Sequence, residues 1–177
     1  MNGRAEAVWT IGHSTRSGDE LISLLQACGI KSLGDVRRFP ASRRHPQFNR
    51  SALESSIAEA SMHYAWFEAL GGRRSARKDS HNTAWHNASF RGYADYMQTP
   101  EFGAALDELI LLFKERRTVY CCTEAVFWRC HRQLTSDALV VRSFRVGHIF
   151  TATKVEEHTL TKFAKAEGTR LTYPSLL

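Results

Sequence analysis

The sequence lacks the features that mark membrane, secreted and low-complexity proteins. Its longest purely apolar runs, such as residues 109–113, are far too short to cross a bilayer, and residues 1–8 contain no apolar stretch of the kind found in signal peptides. With 43% hydrophobic and 24% charged residues, the chain of 177 residues has the composition of a folded domain with a sizeable core. We therefore expect one soluble, cytoplasmic domain spanning residues 1–177, with no membrane partner.

Several common catalytic and nucleic-acid-binding motifs are also missing. The sequence has no Walker loop, no G-x-G-x-x-G and no G-x-S-x-G, which disfavours nucleoside triphosphate hydrolysis, dinucleotide redox chemistry and serine esterase chemistry. It has no RNA-recognition, helix-turn-helix or zinc-finger signature, so sequence-specific reading of nucleic acid is unsupported. Four cysteines without a secretory signal indicate free thiols, a metal site or redox chemistry rather than a disulfide framework.

Positive charge is concentrated in two segments. Residues 36–53 carry five arginines and no acid, and residues 71–91 carry four arginines and one lysine against one aspartate. Because the net charge is +6, the rest of the chain is at −3. Both segments are predicted loops, and the longer one, at about 71–91, resembles a mobile lid. This distribution predicts an electropositive patch for an anionic partner, either a small molecule or a nucleic acid, unless the arginines are simply solvated.

Stretches with β-strand character alternate with apolar residues at helical spacing. The predicted strands are Val8–Ile11, Lys31–Val36, Tyr64–Phe67, Thr118–Tyr120 and Phe144–Phe150. The predicted helices begin at the capping box Ser17–Glu20, at Ser51, at Thr99 with Pro100 and at Cys130, and a last one lies near Leu160 and Phe163 before an extended piece at Arg170–Tyr173. This alternation predicts an α/β protein with a Rossmann-like three-layer fold and a mainly parallel sheet.

Reactive side chains follow three of the predicted strands. The run from Cys122 to Arg132 has the pattern C-x-E-x₅-C-H-R and comes directly after the Thr118–Tyr120 strand. Because the carboxyl ends of parallel strands meet at one edge of a sheet, these residues should share one crevice. The candidates are His13 and Ser14 after the first strand, Asp35 and Arg37 after the second, and Cys122, Glu124, Cys130, His131 and Arg132 after the third.

Several short motifs occur in the order typical of one bacterial and archaeal family. They are Thr10-Ile-Gly-His-Ser14, Asp35-Val-Arg37 with Pro40 and Ser42, Leu70-Gly-Gly72, Tyr93-Ala-Asp-Tyr-Met97 and the C-x-E-x₅-C-H-R block. Over roughly residues 8–150 the chain resembles the family called domain of unknown function 488. The resemblance implies a Rossmann-like α/β fold, and the signature residues that it implies are the nine candidates given above. It implies no established reaction.

Carboxylate acid–base catalysis on an anionic, phosphate- or nucleotide-containing substrate is the function that we expect. In this hypothesis Asp35 or Glu124 transfers a proton and His13 is a proton shuttle. The substrate would be bound by Ser14, Arg37, Cys122, His131 and Arg132. Each acid also has a structural interpretation, since Asp35 could form a salt bridge with Arg37 and Glu124 with Arg132, while His13 could fasten a turn to a backbone carbonyl.

Two other functions remain open. Cys130 lies near a predicted helix N-terminus between arginines and a histidine, so its thiolate would be stabilised and could act as a nucleophile or a persulfide carrier. Alternatively the chain is a non-catalytic nucleic-acid-binding module, in which Trp85 and Phe90 stack on bases or pin the basic loop to the body. We expect no cofactor and no metal, because no C-x-x-C spacing occurs and adjacent Cys130 and His131 should diverge on a helix.

Overall fold

A computed structural model of the chain describes residues 6–175. Residues 1–5, on which the prediction of no signal peptide partly rests, and residues 176–177 lie outside this range. The strands of the structure are β1 Ala7–Gly12, β2 Ser32–Asp35, β3 His63–Trp66, β4 Thr118–Cys122, β5 Arg145–Ile149, β6 Val155–Glu157, β7 Lys165–Glu167 and β8 Arg170–Thr172. Its α-helices are α1 Gly18–Ala27, α2 Arg50–Glu59, α3 Ala88–Tyr96, α4 Pro100–Glu115 and α5 Arg132–Val140. Of the helices in residues 6–175, none combines the length and apolar character needed to cross a bilayer.

Helices α1 and α4 begin where their capping residues predict. The Ser17 hydroxyl accepts a hydrogen bond from the Glu20 N–H at 3.1 Å, and the Glu20 carboxylate accepts one from the Ser17 N–H at 2.6 Å. Just beyond the end of α1, Gly29 has a φ of +68°, which glycine adopts without a side-chain clash. At α4 the Thr99 hydroxyl accepts a hydrogen bond from the Phe102 N–H at 3.4 Å. Both predicted helix starts are confirmed.

Helix α2 begins earlier than predicted. Its N-cap is Asn49, and Ser51 lies within the first turn, so the predicted start at Ser51 is wrong. A 3-10 turn at Pro46–Phe48 leads directly into the helix. The Asn49 side-chain oxygen accepts a hydrogen bond from the Ser42 N–H at 2.6 Å, which fixes the path of the chain into the helix.

The main sheet has six strands in the order β3-β2-β4-β1-β5-β6. All neighbouring pairs are parallel except β5 and β6, which are antiparallel. Strand β4 lies between β1 and β2, with Cys122 opposite Gly12 and Cys121 opposite Asp35. The carboxyl ends of these three strands therefore lie side by side at one edge of the sheet.

The sheet separates two apolar cores. Along β4 the side chains alternate, so that Val119 and Cys121 pack in one core and Tyr120 and Cys122 in the other. Helices α1 and α2 cover the first core, and α3, α4 and α5 cover the second. Helices thus cover both faces of a mostly parallel sheet, which confirms the predicted Rossmann-like three-layer α/β fold.

The predicted basic loop at 71–91 is partly helical and is fastened to the body. Its last residues belong to α3, and the Asp95 carboxylate of that helix accepts hydrogen bonds from the Arg77 N–H at 2.8 Å and from the Asn82 side-chain amide at 2.7 Å. The Trp85 ring stacks on Phe90 and also packs against the tail of the chain. Trp85 therefore pins this segment, as one of the two interpretations predicted, and is not free to stack on a base.

The predicted tail helix near Leu160 and Phe163 is wrong. That part of the chain runs without helix into the hairpin β7–β8, which turns at Gly168 with a φ of +61°. The Thr161 N–H donates to the Asp137 carboxylate at 3.0 Å, and Tyr173 donates to the other oxygen of that carboxylate at 2.9 Å. These tertiary hydrogen bonds to Asp137 replace the local ones of a helix, and they override the i, i+3 apolar spacing that favoured one.

Gly12 lies where strand β1 passes closest to the chain that follows β4. A Cβ atom at Gly12 would overlap the main-chain carbonyl of Glu124 and lie 2.9 Å from Arg132 Nη2. We expect Gly12→Ala to lower the free energy of unfolding by about 1–3 kcal/mol, because backbone must move to make room. The measurement is urea unfolding followed by tryptophan fluorescence.

Gly103→Ala is the matched control for this prediction. Gly103 lies in α4, and a Cβ atom there meets nothing within 4 Å. Alanine is the better helix former, so this variant should gain roughly 0.5–1 kcal/mol. Equal effects of the two substitutions would show that the close approach at Gly12 is not a constraint.

Candidate functional site

A crevice lies at the carboxyl ends of β2 and β4 and has a volume of about 400 Å³. After β2 the chain leads to α2 on one face of the sheet, and after β4 it leads to α5 on the other face. Two neighbouring strands whose connections leave in opposite directions open a crevice between them, which is where open α/β sheets bind ligands. Its lining residues are Arg37, Arg38, Phe39, Gly72, Arg73, Asn87, Ser89, Phe90, Tyr93, Cys122, Thr123, Glu124, Arg129, Cys130 and His131.

Four guanidinium groups and a single carboxylate belong to these lining residues. The arginines are Arg37, Arg38, Arg73 and Arg129, and the acid is Glu124. Both basic segments of the sequence contribute to the lining, Arg38 from the first and Arg73 from the second. Arg38 donates a hydrogen bond to the carbonyl of Arg73 at 2.9 Å, which joins the two segments. The crevice therefore has an excess of positive charge, and an anionic ligand would gain from entering it.

Two thiols and an imidazole meet at the base of the crevice, and we call Cys122, Cys130 and His131 the thiol centre. His131 Nδ1 lies 3.6 Å from Cys130 Sγ and 3.9 Å from Cys122 Sγ. The other ring nitrogen, Nε2, donates to the carbonyl of Val36 at 3.0 Å. Because that hydrogen bond places the ring proton on Nε2, the lone pair of Nδ1 faces both thiols.

The two thiols of this centre differ in acidity. Burial alone raises the pKa of Cys130, but the neighbouring Cys122 thiol, His131 and Arg132 outweigh it, so the pKa lies well below that of an ordinary thiol. The neighbouring Cys130 sulfur together with burial raises the pKa of Cys122 well above the ordinary value. Cys130 is therefore the more acidic thiol of the pair.

The local backbone explains why Cys130 and His131 converge. A 3-10 turn at Phe127–Arg129 precedes Cys130, which is extended with φ −134° and ψ 151°. Helix α5 starts only at Arg132, with His131 as its N-cap. The expectation that Cys130 begins the helix and diverges from His131 is therefore wrong, because the residues do not share helical geometry. The positive end of the α5 dipole lies beside Cys130 and adds to the stabilisation of its thiolate.

Asp35 is fully buried and is not among the crevice-lining residues. Its carboxylate forms a two-point ion pair with the Arg37 guanidinium at 2.8 and 2.6 Å and accepts a hydrogen bond from the Tyr64 hydroxyl at 2.7 Å. Burial and this carboxylate raise the pKa of Tyr64 well above its ordinary value, so Tyr64 remains a donor. These contacts match the structural interpretation of Asp35, in which it holds the loop after β2.

Arg37 joins that ion pair to the wall of the crevice. Burial alone lowers the pKa of Arg37, but the Asp35 carboxylate outweighs burial and raises it. Its Nη1 donates to the carbonyl of Phe48 at 2.7 Å and lies 3.3 Å from His13 Nε2. Arg37 is only 6% exposed and Asp35 balances its charge, so it serves mainly to hold the crevice wall in place.

His13 and Ser14 lie outside the crevice lining and fasten the loop after β1. His13 is buried, stacks on Phe48 with ring centroids 4.0 Å apart, and donates from Nδ1 to the Ser14 carbonyl at 3.0 Å. Burial and the charge of Arg37 lower the pKa of His13 to about 4, so the ring is neutral at pH 7. The Ser14 N–H donates to the carbonyl of Thr123 at 2.9 Å. These contacts match the structural interpretation of His13.

Arg132 and Glu124 do not form the predicted ion pair. Arg132 is 1% exposed, and it donates to the Thr10 hydroxyl at 3.0 Å and to the main-chain carbonyl, rather than the carboxylate, of Glu124. It braces the chain after β4 from behind and does not line the crevice. The Glu124 side chain is exposed and lines the crevice, where it could transfer a proton to or from a ligand.

Several residues of this site are not among those predicted from the sequence. Phe39 is 58% exposed at the crevice, with the guanidinium groups of Arg38 and Arg73 at 5.3 and 6.0 Å from its ring centre. Asn87 caps α3 so that the N-terminal turn of this helix also lines the crevice. The clustered arginines were a usable signal for Arg38 and Arg73. Nothing in the sequence pattern marked Phe39 or Asn87.

The thiol centre also offers donor atoms of the kind that zinc uses. The two sulfurs and the ring nitrogen lie within 4.8 Å of one another, and the Val36 carbonyl orients the imidazole as it would in a metal site. No further His, Cys, Asp or Glu in residues 6–175 joins this group. The surrounding guanidinium groups oppose a divalent cation, so they favour chemistry at the thiols themselves over metal binding.

The buried Asp35–Arg37 pair gives a prediction about stability. Asp35→Asn removes the charge that balances a guanidinium held away from water, so we expect the free energy of unfolding to fall by about 3–5 kcal/mol in urea unfolding experiments. Asp79→Asn is the control, because the Arg77–Asp79 ion pair is exposed on both sides and should contribute little. Similar effects of the two variants would contradict the structural role of Asp35.

Comparison with known proteins identifies the family. The model of the family described as domain of unknown function DUF488 matches residues 17–139, more than half of the chain. The match includes Asp35, Arg37 and the whole run from Cys122 to Arg132, and it begins after His13 and Ser14. No curated protein and no solved structure matches the chain. The expected resemblance is confirmed, and the chain belongs to the DUF488 family.

Proposed function

We propose that this protein is a thiol-dependent enzyme in which Cys130 attacks an anionic, phosphate-bearing substrate bound in the crevice. One observation carries the proposal. The Cys130 thiol lies 3.6 Å from the His131 nitrogen whose lone pair faces it, at the base of a crevice lined by four arginines. A nucleophile, a base and a group that orients the base are the parts that covalent catalysis needs.

Each group has a role in the proposed step. His131 takes the proton of Cys130, and the thiolate forms a bond from Sγ to an electrophilic carbon or sulfur of the substrate. The leaving group departs with its electron pair and receives the proton that His131 took from Cys130. A second nucleophile then takes the transferred group from Sγ and restores the thiolate. Val36 acts as the positioning group because its carbonyl holds the imidazole.

The lining of the crevice supports a substrate with both a phosphate and a flat ring. Arg38, Arg73 and Arg129 place guanidinium donors around the thiol centre, and the N-terminal turn of α3 adds its positive dipole end. The exposed ring of Phe39 provides a face on which an aromatic group can stack. This combination favours a nucleotide or a related phosphorylated aromatic compound.

The burial of Asp35 is the reason for choosing thiol chemistry over paired carboxylates. Glycosidic or hydrolytic cleavage by two carboxylates needs both of them at the substrate, and only Glu124 lines the crevice. Binding of nucleic acid without catalysis rests on positive charge alone, and it would leave the arrangement of Cys130, His131 and Val36 without a role.

Alkylation of Cys130 tests the proposed nucleophile. With iodoacetamide at pH 7 we expect Cys130 to be modified more than about tenfold faster than Cys28, since one pKa unit changes the thiolate fraction about tenfold. The pKa of Cys28 is raised by burial. The rate at Cys130 should level off below pH 9, whereas the rate at Cys28 should still rise there. Peptide mass spectrometry of quenched time points measures both rates.

His131→Ala and Cys121→Ser are the variants for this experiment. Removing the imidazole should slow alkylation of Cys130 and shift its pH profile upward. Cys121 adjoins Cys122 but lies in the opposite core, and burial raises its pKa to about 12, so Cys121→Ser should change nothing at Cys130. Reaction of Cys130 at the rate of Cys28 would refute the proposed nucleophile.

Anion binding tests the other half of the proposal. Pyrophosphate and adenosine monophosphate should bind and slow alkylation of Cys130, and Arg73→Gln or Arg129→Gln should weaken binding about tenfold each, equivalent to roughly 1.4 kcal/mol for a charged hydrogen bond. Isothermal titration calorimetry at two salt concentrations gives the affinities. Arg170→Gln, on the exposed hairpin β7–β8, is the control and should bind as the unmodified protein does.

A further inference from the structure

Strand β4 ends with two adjacent cysteines whose surroundings are opposite. Cys121 is fully buried in the core beneath α1 and α2. Cys122 points to the other face and lines the crevice beside Cys130, with its sulfur 3.9 Å from His131 Nδ1. The nucleophile proposed above therefore has a second thiol beside it, which the proposed step does not use.

The two crevice thiols are close neighbours. Their sulfur atoms lie within 4.8 Å of each other and a disulfide bond is about 2 Å long, so the two side chains must move toward each other for the bond to form. The chain between them, residues 123–129, is mostly exposed and contains only one 3-10 turn. The carbonyls of Thr123 and Glu124 are held by Ser14 and Arg132, so an adjustment would fall on the residues that follow them.

We infer that Cys122 is a resolving thiol for Cys130 and that the pair exchanges with low-molecular-weight disulfides bearing anionic groups. This inference rests on the proposed nucleophile, because Cys130 must react first. The guanidinium groups that would bind a phosphate also bind carboxylates, so an anionic disulfide suits the same crevice. Cys121, which is sealed in the core, takes no part.

The exchange has two balanced steps. The Cys130 thiolate attacks one sulfur of the external disulfide R–S–S–R, forming Cys130–S–S–R and releasing R–S⁻. The proton that His131 took from Cys130 passes to R–S⁻ or to water, which leaves His131 neutral. Cys122 then gives its proton to His131, and its thiolate attacks Cys130 Sγ, releasing a second R–S⁻ and leaving the Cys122–Cys130 disulfide. The two electrons lost by the protein are gained by the external disulfide. A thiol substrate runs the sequence in reverse.

Dithiobis(nitrobenzoate) is a suitable probe, because it is an aromatic disulfide with two carboxylates and its released thiolate absorbs light. We expect a Cys28→Ser protein to release two equivalents per chain. The second release should follow the first at a rate independent of reagent concentration. The product should be lighter than the starting protein by two hydrogen atoms, with Cys122 and Cys130 joined in peptide mapping, and dithiothreitol should restore it.

Cys122→Ser in the same Cys28→Ser background should release one equivalent of the reagent's thiolate and retain a stable mixed disulfide on Cys130. Cys130→Ser in that background should release none. Circular dichroism verifies the fold, and Cys122→Ala serves as the second variant if the serine variant is unstable. The resolving role of Cys122 would be refuted if the Cys28→Ser protein kept a stable mixed disulfide, or if adding Cys122→Ser did not change the number of equivalents released. Neither result would contradict the proposed nucleophile. Inertness of Cys130 toward both the disulfide and iodoacetamide would instead refute the proposed nucleophile.

Discussion

The buried ion pair between Asp35 and Arg37 is the interaction on which the arrangement of the site depends. Two charges removed from water are tolerated only when every remaining donor and acceptor is satisfied, and here Tyr64, the Phe48 carbonyl and His13 complete the set. The result is a rigid turn after β2. That turn places the Val36 carbonyl against His131 and carries Arg38 and Phe39 to the crevice.

The sheet topology turns this rigid loop into one wall of a site. Because β2 and β4 are neighbours whose connections leave toward opposite faces, the loop after β2 faces the thiol centre across the crevice. The guanidinium groups gathered there give the crevice an excess of positive charge, which would attract an anionic ligand to the thiol centre. In the proposed function, the loop after β2 and the chain after β4 therefore bring the ligand and the Cys130 thiol to one place.

The sequence predicted the fold well because its main signals were local. The capping box at Ser17 and the Thr99 cap with Pro100 fix helix starts through contacts within one turn, and apolar strand segments fix the parallel sheet. The tail helix failed for the opposite reason. Leu160 and Phe163 have helical spacing, but hydrogen bonds to the distant Asp137 decide the backbone there, and no local pattern encodes them.

For the site, the sequence identified the strand ends but not the direction of each side chain. Cys122, Glu124, Cys130 and His131 line the crevice together, as the C-x-E-x₅-C-H-R pattern predicted. His13, Asp35 and Arg132 lie just behind it and brace the loops. Whether a polar residue after a strand faces the ligand or the interior depends on which buried partner it finds, and those partners are far away in sequence.

The alternation of Cys121 and Cys122 along β4 has a consequence for how the chemistry is encoded. Pairing of β4 with β1 and β2 fixes which of the two sulfurs emerges among the arginines. A slip of one residue would turn Cys121 toward His131 and Cys122 into the opposite core, and it would move every other side chain of β4 to the opposite face. The position of the thiol centre therefore depends on strand register, so substitutions in the hydrophobic layers that loosen this pairing would disturb the centre without touching any residue in it.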